Sequence, residues 1–192
     1  MLNVFIWGLV FLPLTILSYG FYQIQIAGNI LYWTAEPGKY LVHFIGQWAI
    51  SFLILTTAIT PIRKRLGYNL IPYRRRLGLA AFFYAVLHVL AYAAMMLGFE
   101  LSVLIEDFAK RPYITAGMVA VIGLLPMAVT STKGWQRRLK RKWKTLHQLI
   151  YLVIIAVIIH LWWQVRQDFS LALFVTLMVS VLWYFRFSTK KS

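Results

Sequence analysis

The chain has 192 residues, of which 61% are hydrophobic and 13% are charged, and its formal net charge is +15. Soluble domains carry about 25% charged residues, so this composition excludes an ordinary soluble domain and predicts a protein that crosses a membrane several times. The absence of cysteine excludes disulfides, iron–sulfur clusters held by thiolates, and thiol catalysis.

Six apolar segments follow one another along the chain, and each has about the 20 residues that an α-helix needs to span a bilayer. They cover residues 4–23, 43–60, 77–99, 113–131, 146–163 and 169–187. No Lys or Arg precedes Lys39, so the first segment is expected to be a retained span rather than a cleaved signal peptide. Pro61 is expected to end the second helix, and Pro112 to open the fourth. The predicted fold class is all-α, an integral membrane bundle of six transmembrane helices forming a single domain over residues 1–192.

The charged residues divide between the two sides of this bundle. Sixteen of the 20 basic residues lie in 62–76, 132–145 and the C-terminal tail, where Arg186 is followed by Lys190 and Lys191. All five acidic residues lie on the other side, together with Lys39, Lys110, Arg111 and Arg166. The positive-inside rule therefore predicts that both termini are cytoplasmic. The basic loops are expected to contact anionic membrane lipid. No nucleic-acid binding is expected, because these loops flank membrane spans.

Two of the four histidines are predicted to lie at the same depth on different helices. His88 lies past the midplane of the third helix, and His160 lies near the outer end of the fifth. Two imidazoles facing each other across a bundle suit a six-coordinate b-type haem. The alternative is a pair of histidines whose ring nitrogens are satisfied by backbone carbonyls or water.

The inner end of the fifth helix carries His147, which has no histidine partner at its depth. Its polar neighbours are expected to be arginines of the third helix, with Arg74 about 40° from the face of His88. His147 and His160 are thirteen residues apart in the sequence, about 140° from sharing a face of an ideal helix. His43 is expected at the membrane interface rather than on a metal.

Four segments carry a resemblance to a known family: residues 78–92 (GLAAFFYAVLHVLAY), 110–120 (KRPYITAGMVA), 124–131 (LLPMAVTS) and 143–163 (WKTLHQLIYLVIIAVIIHLWW). Together they resemble the MsrQ family (formerly YedZ), the haem-containing membrane subunits of bacterial periplasmic methionine sulfoxide reductase systems. This family belongs to the ferric reductase/NADPH oxidase transmembrane superfamily. The resemblance covers nearly the whole chain, and its specific part, the haem-binding core, lies at about 44–163.

The resemblance implies an electron-transfer subunit of the bacterial inner membrane, with catalysis on a partner chain. It implies b-type haem, one or two per chain, held by His88, His147 and His160, with Arg74 as a participant at the inner position. It also implies FMN, a supply of electrons from the quinone pool or a cytosolic flavin reductase, and a periplasmic molybdenum-containing methionine sulfoxide reductase as the partner of a heterodimer. Oxidases and ferric reductases of the superfamily have four histidines on the third and fifth helices, whereas this chain has three.

Two other function classes stay open from the residues alone. A ferric or quinone reductase would share the haem core and act directly on a small acceptor. A haem-free transporter or assembly factor would use the histidines as polar membrane residues. No nucleotide-binding glycine motif is present, so a flavin or nicotinamide domain would lie on another chain. The acidic stretch from Glu100 to Asp107 is either a docking surface or a balance of charge across the membrane.

Overall fold

The computed structural model describes residues 2–29, 32, 34–164 and 168–188, and within these ranges the chain forms helices and loops without a strand. The α-helices are α1 Leu2–Gln25, α2 Pro37–Leu66, α3 Arg74–Leu97, α4 Leu101–Lys110, α5 Pro112–Val129, α6 Lys133–Leu139, α7 Arg141–Leu146, α8 Leu149–Gln164 and α9 Ser170–Phe187, and a 3-10 turn precedes α3 at Ile71–Tyr73. Among the described residues, six stretches are long and apolar enough to cross a membrane: α1, α2, α3 with its preceding turn, α5, α7 with α8, and α9. The prediction of six helical spans is confirmed.

The core is built from two pairs of closely packed helices. The helix α2 packs along α3, and α5 packs along α8, while α9 lies against α2. The ring of Phe52 on α2 stacks on Tyr84 of α3 with centroids 5.3 Å apart, and both side chains are fully buried. The Tyr84 hydroxyl donates to the Val10 carbonyl at 2.7 Å, which fastens α1 to this pair.

The helix ends that carry most of the basic residues meet at one end of the bundle, which we call the basic end. There the Lys64 ammonium donates to the Arg186 carbonyl at 2.8 Å, and the Arg186 guanidinium lies over the Tyr151 ring, 5.3 Å from its centroid. The end that carries the acidic residues is the acidic end. The predictions for Arg166, Lys190 and Lys191 fall outside the described residues.

The expectation that Pro61 ends the second helix is wrong, because α2 continues to Leu66 with Pro61 buried inside it. A proline removes one N–H from the helix, but packing against neighbouring helices tolerates this in membrane spans. The helix ends instead at Gly67, whose left-handed φ of 76° lets its N–H bond to the Arg63 carbonyl. It also begins earlier than expected, at Pro37, in the position where a helix accepts a proline without losing a bond.

Candidate functional site

The structure brings His88 of α3 and His160 of α8 together. Their ring centroids are 6.3 Å apart and their planes are nearly perpendicular, at 88°. Both side chains are partly buried. The two rings therefore face each other between the α2–α3 pair and the α5–α8 pair, toward the acidic end.

Each of these imidazoles is bonded to a backbone carbonyl of a neighbouring helix. The His88 Nδ1 lies 2.9 Å from the Val42 carbonyl oxygen on α2, and the His160 Nδ1 lies 2.6 Å from the Tyr113 carbonyl oxygen on α5. A carbonyl oxygen only accepts, so Nδ1 is the protonated nitrogen of each neutral ring and Nε2 keeps its lone pair. The alternative interpretation of the sequence, in which backbone carbonyls satisfy the histidines, thus accounts for one nitrogen of each ring. The other nitrogen, Nε2, keeps a lone pair that can bind a metal.

The spacing of the two rings is such that His88 and His160 would hold one haem iron between them. Their ring centroids are 6.3 Å apart, and each imidazole nitrogen would bind a first-row metal at about 2.0 Å. Within the described residues, no group of three or more His, Asp or Glu side chains could hold a bare metal ion. A two-histidine site of this kind suits an iron whose other ligands come from a porphyrin.

The sequence did not single out the backbone that surrounds these rings. Val42 and Tyr113 supply the carbonyl acceptors, and Gly46 and Gly117 lie so close to the two rings that a Cβ at either position would come within 3 Å of an Nδ1 atom. Glycines within transmembrane helices indicate close approach of a neighbour, and that signal was available at both positions. Which neighbour approaches depends on helix packing, which a single sequence does not specify.

His147 lies apart from this pair, at the basic end, in a two-residue turn between α7 and α8. The expected 140° wheel angle to His160 therefore does not apply, because the two residues are not on one continuous helix. The Trp143 ring stacks on His147 with centroids 3.9 Å apart, and the Trp143 carbonyl oxygen lies 3.1 Å from the His147 Nδ1. Arg74, the partly buried first residue of α3, lies within electrostatic range of this ring.

His43 is exposed on α2, within electrostatic range of both His88 and His160 but without a contact to either ring among those the structure describes. The structure thus brings together two of the four predicted site residues, His88 and His160. It places the other two, His147 and Arg74, near each other at the basic end. His43 belongs to neither group.

A polar network closes the acidic end beside His160. The short helix α4, expected as loop, carries Asp107, which is 6% exposed and accepts a hydrogen bond from the Tyr92 hydroxyl of α3. The Arg111 guanidinium pairs with the same carboxylate at 3.1 Å. A side-chain hydrogen bond with Tyr113, aided by the charge of Asp107, raises the pKa of Arg111. The Tyr113 ring in turn lies 6.0 Å from that of His160.

Comparison with known proteins places the chain in a family. Residues 45–158 match the family of ferric reductase like transmembrane components. The protein-methionine-sulfoxide reductase heme-binding subunit MsrQ of Xanthomonas oryzae pv. oryzae (strain MAFF 311018) is 43% identical over 157 residues, 81% of this chain and 72% of that protein. The MsrQ of Brucella ovis (strain ATCC 25840 / 63/290 / NCTC 10512) is 43% identical over 133 residues, 69% of this chain and 60% of that protein. No solved structure matches the chain. The chain therefore belongs to the ferric reductase-like transmembrane family and, within it, to the MsrQ family.

Proposed function

We propose that this chain is a haem b electron-transfer subunit of the bacterial inner membrane. It passes electrons from the quinone pool or a cytosolic flavin reductase to a periplasmic, molybdenum-dependent reductase that repairs methionine sulfoxide in proteins. The observation that carries the proposal is the His88–His160 pair, whose facing rings, 6.3 Å apart, would together hold one haem iron. The names of the relatives, haem-binding subunits of protein-methionine-sulfoxide reductases, support the cofactor and the partner.

The residues of this chain hold and tune the cofactor rather than transform the final substrate. When bound, haem supplies a one-electron carrier within the membrane. The carbonyl bonds at Nδ1 fix the orientation of His88 and His160 and raise the basicity of the Nε2 donors. Ala91 and Leu161, which lie close to His88 and His160 along α3 and α8, are buried apolar residues.

The basic end is where we place the entry of electrons. His147 and Arg74 are the residues there that would hold a second haem, with the guanidinium pairing with a propionate. The same cluster of cations offers counter-charges to the phosphate of FMN. The predicted cytoplasmic position of both termini belongs to this proposal, and it makes the acidic end the periplasmic one. The Tyr92–Asp107–Arg111 network then lies on the side where the partner subunit docks.

The first experiment is optical spectroscopy of the full chain purified in detergent from haem-replete cells. Low-spin haem should give a Soret band and, on reduction, a sharp α-band. His88→Ala and His160→Ala should each abolish the signal of this haem, whereas His43→Ala, at an exposed position, should leave it unchanged. Colourless wild-type protein would refute the proposal, and an unchanged spectrum in either ligand variant would refute the ligand pair. His147→Ala and Arg74→Ala should change the spectrum only if a second haem is bound at the basic end.

A second function, direct reduction of a small acceptor such as a ferric chelate, is favoured by the name of the matched family, ferric reductase like transmembrane component. The two candidate functions are distinguished by adding either a soluble ferric chelate or the molybdenum-containing partner to the reduced protein and measuring its re-oxidation. Re-oxidation that requires the partner supports the subunit function. Fast re-oxidation by the chelate alone supports a reductase that acts directly.

A further inference from the structure

The helices α2 and α5 present the same local arrangement to the two facing histidines. On α2 the Val42 carbonyl receives the His88 Nδ1, and Gly46 follows four residues later. On α5 the Tyr113 carbonyl receives the His160 Nδ1, and Gly117 follows four residues later. Two helices of different helix pairs thus use one spacing, a carbonyl at position i and a glycine at position i+4.

Helix geometry explains why the fourth residue matters. The carbonyl of residue i points along the helix axis toward residue i+4, whose N–H it accepts. A ring that shares this carbonyl from outside the helix must pass beside the α-carbon of residue i+4, where a side chain would otherwise project. A carbonyl oxygen has two lone pairs and can accept a second hydrogen bond, but a second donor as wide as an imidazole needs that position to be empty.

The His88 and His160 rings fill the space that a side chain at Gly46 or Gly117 would occupy. A Cβ on Gly46 would lie 2.9 Å from the His88 Nδ1 and 3.0 Å from its Cε1. A Cβ on Gly117 would lie 2.8 Å from the His160 Nδ1 and 3.1 Å from its Cε1. Ordinary contacts begin at 3.4 Å, so alanine at either position would displace the ring by about 0.5 Å, and the displaced atom is the one that makes the carbonyl bond.

We propose that Gly46 and Gly117 are positioning residues that admit each haem-ligand imidazole to a helix carbonyl and so set the haem reduction potential. This inference rests on the proposed haem function. An imidazole that binds a metal through one nitrogen and donates a hydrogen bond through the other is a more basic metal ligand. A more basic ligand favours ferric over ferrous iron. Weakening the Nδ1–H bond at either position therefore raises the potential.

The test compares Gly46→Ala and Gly117→Ala with two matched variants in the full chain. Gly123→Ala introduces a methyl group 2.7 Å from the Val153 Cγ2, across the same α5–α8 interface as Gly117 but away from any imidazole. Gly78→Ala lies on α3, the helix of His88, where its nearest neighbour is the Thr56 Cγ2 at 3.6 Å. The measurements are haem per purified chain, the low-spin ferric signal in electron paramagnetic resonance, and the midpoint potential.

We expect both cradle variants, Gly46→Ala and Gly117→Ala, to shift the ferric–ferrous equilibrium of this haem toward the ferrous form by about threefold to tenfold. Tenfold corresponds to about 59 mV for a one-electron couple. The ferric resonance signal should move with the potential. Gly123→Ala and Gly78→Ala should retain the wild-type potential. A cradle variant that accumulates without haem supports the proposal when both matched variants are loaded normally.

Three results would overturn the inference. The cradle variants could hold haem at the wild-type potential, Gly123→Ala could change the potential as much as Gly117→Ala does, or all four variants could lose haem together. The proposed function fails separately, through wild-type protein without haem or His88→Ala protein with an unchanged spectrum. If the histidine variants lose haem and the cradle variants keep haem with unaltered properties, this inference is refuted and the proposed function is not.

Discussion

Asp107 holds α4 onto the acidic end of the bundle, and removing its carboxylate should loosen that helix. It is the one charged residue among the buried side chains of the described part of the chain. Its carboxylate receives the Tyr92 hydroxyl of α3 and the guanidinium of Arg111 at the start of α5. Asp107→Ala removes both partners at once, so α4 should lose its polar attachment to the bundle.

The expected cost follows from the exposure of each partner. A hydrogen bond to a charged acceptor contributes about 1.5–3 kcal/mol, and the Tyr92 bond is partly buried. The Arg111 side chain is 50% exposed, so its ion pair contributes only about 0.2–1 kcal/mol. Asp107→Ala should therefore destabilise the closed position of α4 by about 2–4 kcal/mol, Tyr92→Phe by somewhat less, and Arg111→Gln by less than about 1 kcal/mol.

Hydrogen exchange measured by mass spectrometry on the full chain in detergent resolves this local opening. Because each 1.4 kcal/mol is tenfold, amides of α4 should exchange roughly 30- to 700-fold faster in Asp107→Ala. The control is Asp107→Asn, which keeps an acceptor for Tyr92 and should exchange much more slowly than the alanine variant. Combining Asp107→Ala with Tyr92→Phe should add little to the single change. Unaltered exchange in α4, or fully additive effects, would refute this account of the network.

Three further predictions concern other parts of the bundle. Tyr84→Phe removes the bond to the Val10 carbonyl and should cost about 1 kcal/mol, against about 3–5 kcal/mol for Tyr84→Ala; thermal denaturation in detergent should rank them in that order. Trp143→Ala removes the ring that covers His147 and should speed modification of that imidazole by diethylpyrocarbonate, whereas Trp143→Phe keeps the stack and should not. A hydrogen bond from the Ser170 N–H lowers the pKa of Asp168. The ionised Asp168 carboxylate therefore stabilises the first turn of α9 fully above about pH 3.9, and this stabilisation is lost as the pH falls through the lowered pKa. Exchange protection at Ser170 should fall over that range, and Asp168→Ala should show the loss at neutral pH.

The number of spans and the pairing of His88 with His160 followed from the sequence, because both depend on length and depth along helices. Hydrophobic length is read directly from composition. A fixed rise per residue converts sequence position into depth. A proline removes one N–H from a helix, which predicts a helix end at Pro61 when the helix is considered alone. The neighbouring helices that bury Pro61 offset this cost, and the local sequence does not specify them.

The acceptors and glycines around the two rings depend on a different kind of information. His88 could have reached any carbonyl on a neighbouring helix, and its contact with Val42 is decided by how α2 and α3 pack. The sequence also does not predict the helix α4, because its ten residues between two apolar spans are too few to give a membrane-span signal. Its burial of Asp107 is a tertiary contact that local sequence does not report.

The two ends of the fifth span differ in what holds their histidines. The His160 imidazole is bonded to α5, a helix other than its own, so its orientation is fixed by the packing of two helices. The His147 imidazole lies in the turn between α7 and α8 and is bonded to the Trp143 carbonyl of its own segment and to the backbone at Met127 of α5. Its ring stacks on Trp143, which is not a metal ligand, whereas the His160 ring faces a second imidazole, that of His88. Two facing metal donors therefore exist at the His88–His160 pair, and a cofactor at the basic end would have His147 as its single histidine ligand and would have to supply part of its own ordering.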